Sequence, residues 1–170
     1  MSEYTLGAPS RKLDEFEELV YEYTSRMGLG DGGYWGVDAR SCNLRFESAT
    51  RGPPATVTFL FKVTPEMSNG MGNLHGGCAA TLIDVLSTTI LLGLSSPGKF
   101  ALGGVSRNLR VTYLRPVPTD MEVRLVCEVV HVGKRLALLR AEIQRAEGGD
   151  VCVVGEHEKA NTDPEVDQRI

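Results

Sequence analysis

One carboxylate stands inside the most apolar segment of the chain. Asp84 is the only charged residue between Gly76 and Leu94, where small and aliphatic side chains predominate. Burial favours the neutral acid over the carboxylate, so an interior aspartate destabilises a fold unless hydrogen bonds or a function compensate. Asp84 is therefore the first candidate for a functional group. The alternative is a structural carboxylate that threonine hydroxyls or backbone amides satisfy.

Two glycines begin the segment that holds this aspartate. Gly76 and Gly77 stand where a helix is predicted to begin, and the first backbone N–H groups of a helix have no intrahelical acceptor. The helix dipole adds positive potential at the same end. Because neither glycine carries a Cβ, a carbonyl oxygen can approach these amides closely, as an oxyanion hole for acyl transfer requires.

The spacing of these two features along the helix limits what one chain can do. Asp84 follows Gly76 by eight residues, which is roughly 12 Å of helical rise. Asp84 is therefore not expected to reach a carbonyl held by the glycine end of its own helix, and a second copy of the helix could supply that end. Ser87 and Thr88 lie on the same side of the helix as Asp84. They could hydrogen-bond its carboxylate or a water molecule bound to it.

The elements that must position these residues follow from the hydrophobic pattern. Apolar residues recur at helical spacing over residues 13–27, and glycines then end the pattern. Two stretches alternate apolar and polar residues as strands do, the long apolar helix follows, and four β-rich stretches complete the chain. The predicted strands span residues 43–48, 56–63, 101–113, 121–132, 135–145 and 151–160.

This order of elements predicts an α+β protein. Short connections predict that the last four strands are antiparallel neighbours, and a long helix with little polar surface must be wrapped by their sheet. We expect an antiparallel sheet of about five to six strands around one central helix, with an extra N-terminal helix. A chain of 170 residues is expected to form one domain. Residues 1–40 are assigned to an N-terminal helix and linker, 41–162 to the main domain and 163–170 to a tail.

Composition excludes several classes of function. The formal net charge is −4, and no basic face suggests a nucleic-acid partner. The four cysteines lie far apart, so neither a metal site nor a redox pair is expected. The apolar helix carries Asp84 and several hydroxyl groups and is shorter than a bilayer requires, so no membrane span is predicted. Residues 1–10 lack the features of a targeting peptide, which favours a cytoplasmic location and leaves a mitochondrial one open.

Two motifs resemble one protein family. The run from Asn69 to Gly77, NGMGNLHGG, with Asp84 seven residues further on, resembles the hotdog-fold acyl-CoA thioesterases of the phenylacetate-pathway and thioesterase superfamily member 2 type. The later segments Val105-Ser106 and VTYLRP, residues 111–116, are similar to that family as well. The resemblance covers about residues 42–160. It implies a hotdog fold and a role in fatty acid metabolism.

The resemblance implies hydrolysis of an acyl-CoA to a free acid and CoA, with no metal and no cofactor other than the substrate's own CoA. In that family the residue matching Asp84 acts as general base or nucleophile, and the glycine matching Gly76 donates its N–H to the thioester oxygen. The residues matching Asn69 and His75 orient substrate or water. The serine matching Ser106 assists the attacking water.

The resemblance also implies an oligomer. In the family, the glycine end of one subunit faces the aspartate of its partner, which agrees with the separation of Gly76 and Asp84. We therefore expect a homodimer, or a homotetramer built as a dimer of dimers, in which dimerisation is required for activity.

Binding of CoA would require cations for its phosphates, even in a net acidic protein. The candidate cations are Arg107, Arg110, Arg115, Lys134 and Arg135, and the further candidates for substrate contact are Gly77, Ser87 and Thr88.

Alternatives stay open for several residues. His75 could cap the helix, and Ser106 could be an ordinary strand hydroxyl. Cys78, in the first helical turn, could be a nucleophile because that position lowers a thiol's pKa, or it could be a small core residue. The remaining histidines, His131 and His157, are interpreted as ordinary surface or edge residues.

Alternatives stay open for the function too. A non-catalytic acyl-CoA or small-ligand binding module could use the same scaffold, and an acyl-carrier-protein thioesterase would use a different thiol carrier. Nothing in the sequence selects an aryl, medium-chain or long-chain acyl group, because pocket depth depends on how two subunits meet.

Overall fold

A computed structural model of the chain describes residues 6–26 and 43–165. The glycine-rich linker and Cys42 lie outside these residues. Within them the chain forms two α-helices, six β-strands and a short 3-10 helix. In chain order they are α1 (Glu15–Arg26), β1 (Arg45–Thr50), β2 (Thr56–Lys62), the 3-10 helix (Pro65–Met67), α2 (Gly76–Gly93), β3 (Val105–Tyr113), β4 (Glu122–Val132), β5 (Leu136–Arg145) and β6 (Val151–Ala160).

The six strands form one sheet in the order β1-β2-β4-β5-β6-β3, and every neighbouring pair is antiparallel. The long helix α2 packs against this sheet, and the N-terminal helix α1 packs against α2. The predicted α+β architecture, with its strand number and its two helices, is therefore confirmed.

One predicted neighbour relation is wrong. The sequence predicts that β3 and β4 lie side by side, but β3 pairs with β6 at one edge of the sheet and β4 pairs with β2. The eight connecting residues, 114–121, can span up to about 26 Å when extended. Three strand spacings amount to only about 14 Å. Pro116 and Pro118 favour the extended backbone, and Val117 between them is buried. This short connection is long enough to cross between the two sheet positions.

Helix α2 supplies much of the hydrophobic core. Leu82, Ile83, Leu86 and Ile90 are almost fully buried and belong to one cluster with the inward-facing side chains of the sheet. Burial of a side chain of this size stabilises the fold by about 1.5–3 kcal/mol. In the described part of the chain, α2 alone is long and apolar enough to cross a membrane, and 61% of it is buried inside the protein.

Helix α1 packs on the C-terminal end of α2. A Cβ at Gly93 would lie 2.6 Å from Val20 and 3.3 Å from Phe16, so the glycine lets the two helices approach closely. Both α1 side chains belong to the core cluster. The opposite, N-terminal end of α2 is left free for the candidate site.

Candidate active site

The glycine end of α2 is held by two side chains. His75 is the N-cap residue, and its Nδ1 accepts a hydrogen bond of 3.0 Å from the Gly77 N–H. The Tyr113 hydroxyl donates to the Gly76 carbonyl oxygen at 2.7 Å. The cap engages the Gly77 amide, whereas the Gly76 N–H has no acceptor among residues 6–26 and 43–165. Of the two glycine amides, the Gly76 N–H is the one available to a ligand.

A cavity of about 450 Å³ adjoins this helix end. Asn69 lines it, and its Oδ1 accepts hydrogen bonds from the backbone N–H groups of Met71 and Asn73 at 3.0 and 3.3 Å. That side chain therefore fixes the loop that enters α2. The cavity is lined by Asn69, Met71, Asn73, Leu74, Gly76, Ala79, Tyr113, Leu114, Arg115, Pro116, Val117 and Val153.

Further along the helix, Asp84 belongs to a hydrogen-bonded cluster with Ser106 of β3 and His157 of β6. The Ser106 hydroxyl donates to Asp84 Oδ1 at 2.6 Å, and His157 Nε2 lies 3.0 Å from the same oxygen. His157 Nε2 also lies 2.9 Å from Ser106 Oγ, and its Nδ1 lies 2.8 Å from Ser87 Oγ. His157 is fully buried, but the Asp84 side chain is 41% exposed. The carboxylate is thus accessible from outside the chain.

The pattern of these bonds assigns the hydrogen on the imidazole. Ser106 has one hydroxyl hydrogen and gives it to Asp84, so its oxygen accepts from His157 Nε2–H. This tautomer also suits Asp84, because the Nε2–H points toward Oδ1, whereas the other tautomer would place the Nε2 lone pair against that oxygen. In the neutral ring Nδ1 is then an acceptor for the Ser87 hydroxyl.

These partners keep Asp84 ionised. The hydrogen bond from His157 is the largest cause that lowers the pKa of Asp84, to about 2, and the Ser106 hydrogen bond and the charges of His157 and Lys159 act in the same direction. Partial burial raises the pKa but is outweighed. Burial thus favours the neutral acid, as expected, but the hydrogen bonds and charges favour the carboxylate more strongly. At neutral pH the site therefore presents a carboxylate.

A β-bulge directs Ser106 toward the helix. Ser106 pairs with Lys159 and Asn108 pairs with Glu158, so Arg107 is the extra residue between them. Because side chains alternate along a strand, an unbulged β3 with Leu109 facing α2 would point Ser106 away from α2. The bulge reverses that orientation, as bulges beside functional sites often do.

Ser87 and Thr88 lie beside Asp84, as expected, but neither hydroxyl hydrogen-bonds its carboxylate. Ser87 Oγ bonds His157 instead. Thr88 Oγ1 donates to the Asp84 backbone carbonyl at 2.9 Å, as threonines in helices commonly do. It also accepts a hydrogen bond from Lys159 Nζ. Ser87 therefore contacts the cluster through His157, and Thr88 contacts it through the Asp84 backbone.

The interpretation of His157 as a surface or edge residue is wrong. His157 lies on the face of β6 that packs on α2, two residues from Gly155, whose added Cβ would lie 3.0 Å from Ile83. The position of His157 in the strand could have indicated its burial. Residues 153, 155, 157 and 159 share one face of β6, and the first two are small or apolar. His131 on β4 is exposed, as expected.

The candidate cations fall into three groups. Arg107 and Arg110 face acidic residues of β6, Glu158 at 3.4 Å and Glu156 at 3.9 Å. Arg115 lines the cavity beside Gly76 and donates to the Val151 carbonyl oxygen. The third group, Lys134 and Arg135, lies in the β4–β5 turn near the start of β3. Arg115 follows the other end of β3.

Two further features bear on the chemistry. Burial raises the pKa of the Cys78 thiol, which disfavours the thiolate that a nucleophilic cysteine needs. In the described ranges no group of three or more His, Cys, Asp or Glu side chains could hold a metal ion.

Comparison with known sequences identifies relatives. Residues 71–152 match the family model of the thioesterase superfamily. Acyl-coenzyme A thioesterase 13 of Homo sapiens is 32% identical over 106 residues, which cover 62% of this chain and 73% of the human protein. The protein of that name from Mus musculus is 31% identical over 98 residues, covering 58% of this chain and 67% of its own length.

Solved structures share the fold. Thioesterase superfamily member 2 from Mus musculus superposes with a TM-score of 0.66 and 26% identity, covering 84% of this chain and 94% of the mouse chain. A hypothetical thioesterase from Streptococcus pneumoniae, crystallised with coenzyme A, gives a TM-score of 0.62 and 25% identity, covering 73% and 92%. The fold and these relatives define a thioester hydrolase of the hotdog class. The chain belongs to the thioesterase superfamily, so the predicted fold and family are confirmed.

Proposed function

We propose that this protein hydrolyses acyl-CoA thioesters to a free acid and CoA. The relatives named above act on acyl-coenzyme A by their names, and one structural neighbour holds coenzyme A. The observation that carries the proposal is the pair of half-sites on α2. One half offers the free Gly76 N–H beside a cavity, and the other offers the ionised Asp84 with Ser106 and His157.

Two copies of the chain are needed to complete the site. Eight residues separate the half-sites, about 12 Å along the helix. Strand β3 is the last strand of the sheet, and its backbone on the outer side is unpaired in the described structure. Val105 and Tyr113, at its two ends, are each 53% exposed. An unpaired edge of this kind is a template for pairing with another chain.

Antiparallel pairing of β3 with the β3 of a second copy places the right groups together. Ser106, near the start of the strand, is bonded to Asp84, whereas Tyr113, at its end, is bonded to Gly76. In an antiparallel pair the start of one strand lies beside the end of the other. Each Asp84 would then face the Gly76 end of the partner's helix. Such a dimer has two equivalent sites, and a tetramer would pair two dimers.

The chemistry follows from these positions. The thioester oxygen accepts a hydrogen bond from the Gly76 N–H, which stabilises negative charge as the carbonyl carbon becomes tetrahedral. Asp84 of the other subunit removes a proton from the attacking water, or attacks the carbonyl carbon itself to form an acyl-aspartate that water then hydrolyses. Ser106 and His157 hold the carboxylate, and the CoA thiolate leaves and is protonated. Asn69 and His75 fix the loop before α2 and thereby position the Gly76 N–H that would bind the thioester oxygen.

Cations near the cavity are proposed to bind the CoA phosphates. Arg115 is the strongest candidate because it lines the cavity beside Gly76. Lys134 and Arg135, near the start of β3, would approach the partner's Arg115 in the antiparallel dimer. Arg107 and Arg110 would first have to exchange their acidic partners for phosphate.

The proposal is tested by release of free thiol from a panel of aryl, medium-chain and long-chain acyl-CoA esters. Wild type should release CoA from at least one of them, and Asp84→Asn should abolish release while leaving the fold and oligomer intact. Tight binding of CoA esters without thiol release would support the binding module instead. Turnover of acyl-carrier-protein esters alone, with no inhibition by free CoA, would support the carrier-protein thioesterase.

A further inference from the structure

Lys159 is a buried cation that the mechanism above does not use. It lies two residues beyond His157 on the face of β6 that packs against α2, and the residue is only 4% exposed. An ammonium group has three N–H donors. In residues 6–26 and 43–165 its ammonium finds one hydrogen-bond acceptor, Thr88 Oγ1 at 2.9 Å. A lysine buried to this extent needs a compensating charge.

The hydrogen bond to Thr88 leads directly to the reacting residue. Thr88 Oγ1 donates to the backbone carbonyl oxygen of Asp84 at 2.9 Å. Strand β6 therefore holds Asp84 at two points. His157 binds its carboxylate, and Lys159 binds its backbone through Thr88.

Among residues 6–26 and 43–165, Asp84 carries the negative charge that acts on Lys159 in this core. Burial lowers the pKa of Lys159, and the Asp84 carboxylate opposes that change. The titratable side chains that line the core around α2 include Asp84 and Cys78 on α2, His157, Lys159 and Cys152 on β6, Cys127 on β4, Tyr113 on β3, and Glu17 and Tyr21 on α1. Glu17 is paired with Arg11, and the β3 arginines face the acidic residues of β6 on the other side of the sheet. The inner faces of β2 and β5 carry apolar side chains.

We propose that Lys159 is the positioning residue and counter-charge of Asp84, tying its turn of α2 to β6 and keeping the carboxylate anionic when a thioester covers it. The role in turnover rests on the proposed function of Asp84. Substrate that covers the 41% exposed carboxylate removes water from it, and charge–charge interactions strengthen as the local dielectric falls. The contribution of Lys159 is therefore larger in the enzyme–substrate complex than in the free enzyme.

The test compares the pH dependence of kcat and of kcat/KM in Lys159→Met and Lys159→Arg. Removal of a positive charge raises the pKa of a nearby carboxyl, so the acid limb of the kcat profile should move up by about one pH unit in Lys159→Met. The limb of kcat/KM, which reports the free enzyme, should move less. Lys159→Arg keeps the charge and should keep the wild-type limb even if crowding slows turnover. Lys62→Met, which removes a surface lysine paired with Asp120, serves as the control.

Profiles of Lys159→Met that are scaled down at every pH, with unmoved limbs, would overturn the proposal in favour of a structural role. If that variant does not fold, Lys159→Gln, which offers Thr88 a donor without charge, takes its place in the same comparison. A double-mutant cycle on the free energy of unfolding separates this inference from the proposed function. The losses for Lys159→Met and Asp84→Asn should sum to more than the loss for the double variant. Additive losses would refute the charge pairing even in a protein without thioesterase activity.

Discussion

His157 Nε2 lies 3.0 Å from Asp84 Oδ1, with Ser106 Oγ within hydrogen-bond distance of both atoms. The three residues come from β6, α2 and β3, so the cluster depends on the pairing of β3 with β6. This places the Asp84 carboxylate beside β3, at an edge of the sheet. The functional proposal depends on that location, because it puts Asp84 where a second subunit can reach it.

Replacement of His157 should weaken the carboxylate as an anion. His157→Gln removes the largest cause that lowers the pKa of Asp84 from its ordinary value to about 2. The remaining burial raises that pKa, so the acid limb of the activity profile should move to higher pH, and turnover should fall about 10²-fold or more. Initial rates of thiol release between pH 2 and 8 measure both effects, because this range includes the wild-type pKa of Asp84 of about 2. His131→Gln, at an exposed site on β4, should match wild type, and an unmoved acid limb in His157→Gln would count against the assignment.

Ser106 is expected to act on turnover more than on substrate binding. Ser106→Ala removes the hydroxyl that donates to Asp84 and accepts from His157. A mispositioned base should lower kcat by roughly 10- to 100-fold with little change in KM. Thr112→Ala, which deletes a hydroxyl from the exposed end of the same strand, provides the matched control. Equal losses in the two variants would indicate a general effect on β3 rather than a role at the carboxylate.

A side chain at Gly76 should block the carbonyl site. A Cβ there would lie 3.1 Å from the ring and hydroxyl of Tyr113 and beside the free N–H. Gly76→Ala keeps the N–H but crowds the carbonyl that it would bind, so kcat is expected to fall by up to about 10²- to 10³-fold, the loss seen when an oxyanion donor is removed. Its thermal stability should stay near that of wild type, because alanine favours the helix. Gly70→Ala, where an added Cβ meets nothing within 4 Å, is the control. Full activity in Gly76→Ala would remove Gly76 from the mechanism.

The hydrophobic pattern predicts most of the fold. It locates α2 to within a residue at each end and gives β6 its observed limits, because α2 is one long apolar segment and β6 follows a glycine-rich turn at residues 147–150. It misplaces β3, since strand order depends on the path of a loop whose length permits either neighbour. Chain order alone cannot show that residues 114–121 connect β3 to a strand three positions away in the sheet.

The candidate site is predictable in part. Asp84 and Gly76 stand out by residue type and position, and Ser106 by resemblance to a family motif. The phase of His157 along β6 indicates that it is buried, but its contacts with Ser106 depend on the β3–β6 register, which the sequence does not show. The bulge at Arg107, which turns Ser106 toward α2, leaves no mark in the alternation pattern. The burial of Lys159 is not predicted either, because a lysine in a strand is ordinarily exposed.

Complementation between two inactive variants tests the central claim, a site shared by two subunits, most directly. Gly76→Val should block the proposed carbonyl site, and Asp84→Asn should remove the carboxylate that we propose as base or nucleophile. Co-refolded in equal amounts, they should form hybrid dimers in which one site keeps both the Gly76 N–H and Asp84. Random pairing makes half of the dimers hybrids with one working site each, so the mixture should recover about a quarter of wild-type thiol release. Hybrid dimers with no more activity than the parent variants would contradict the shared site.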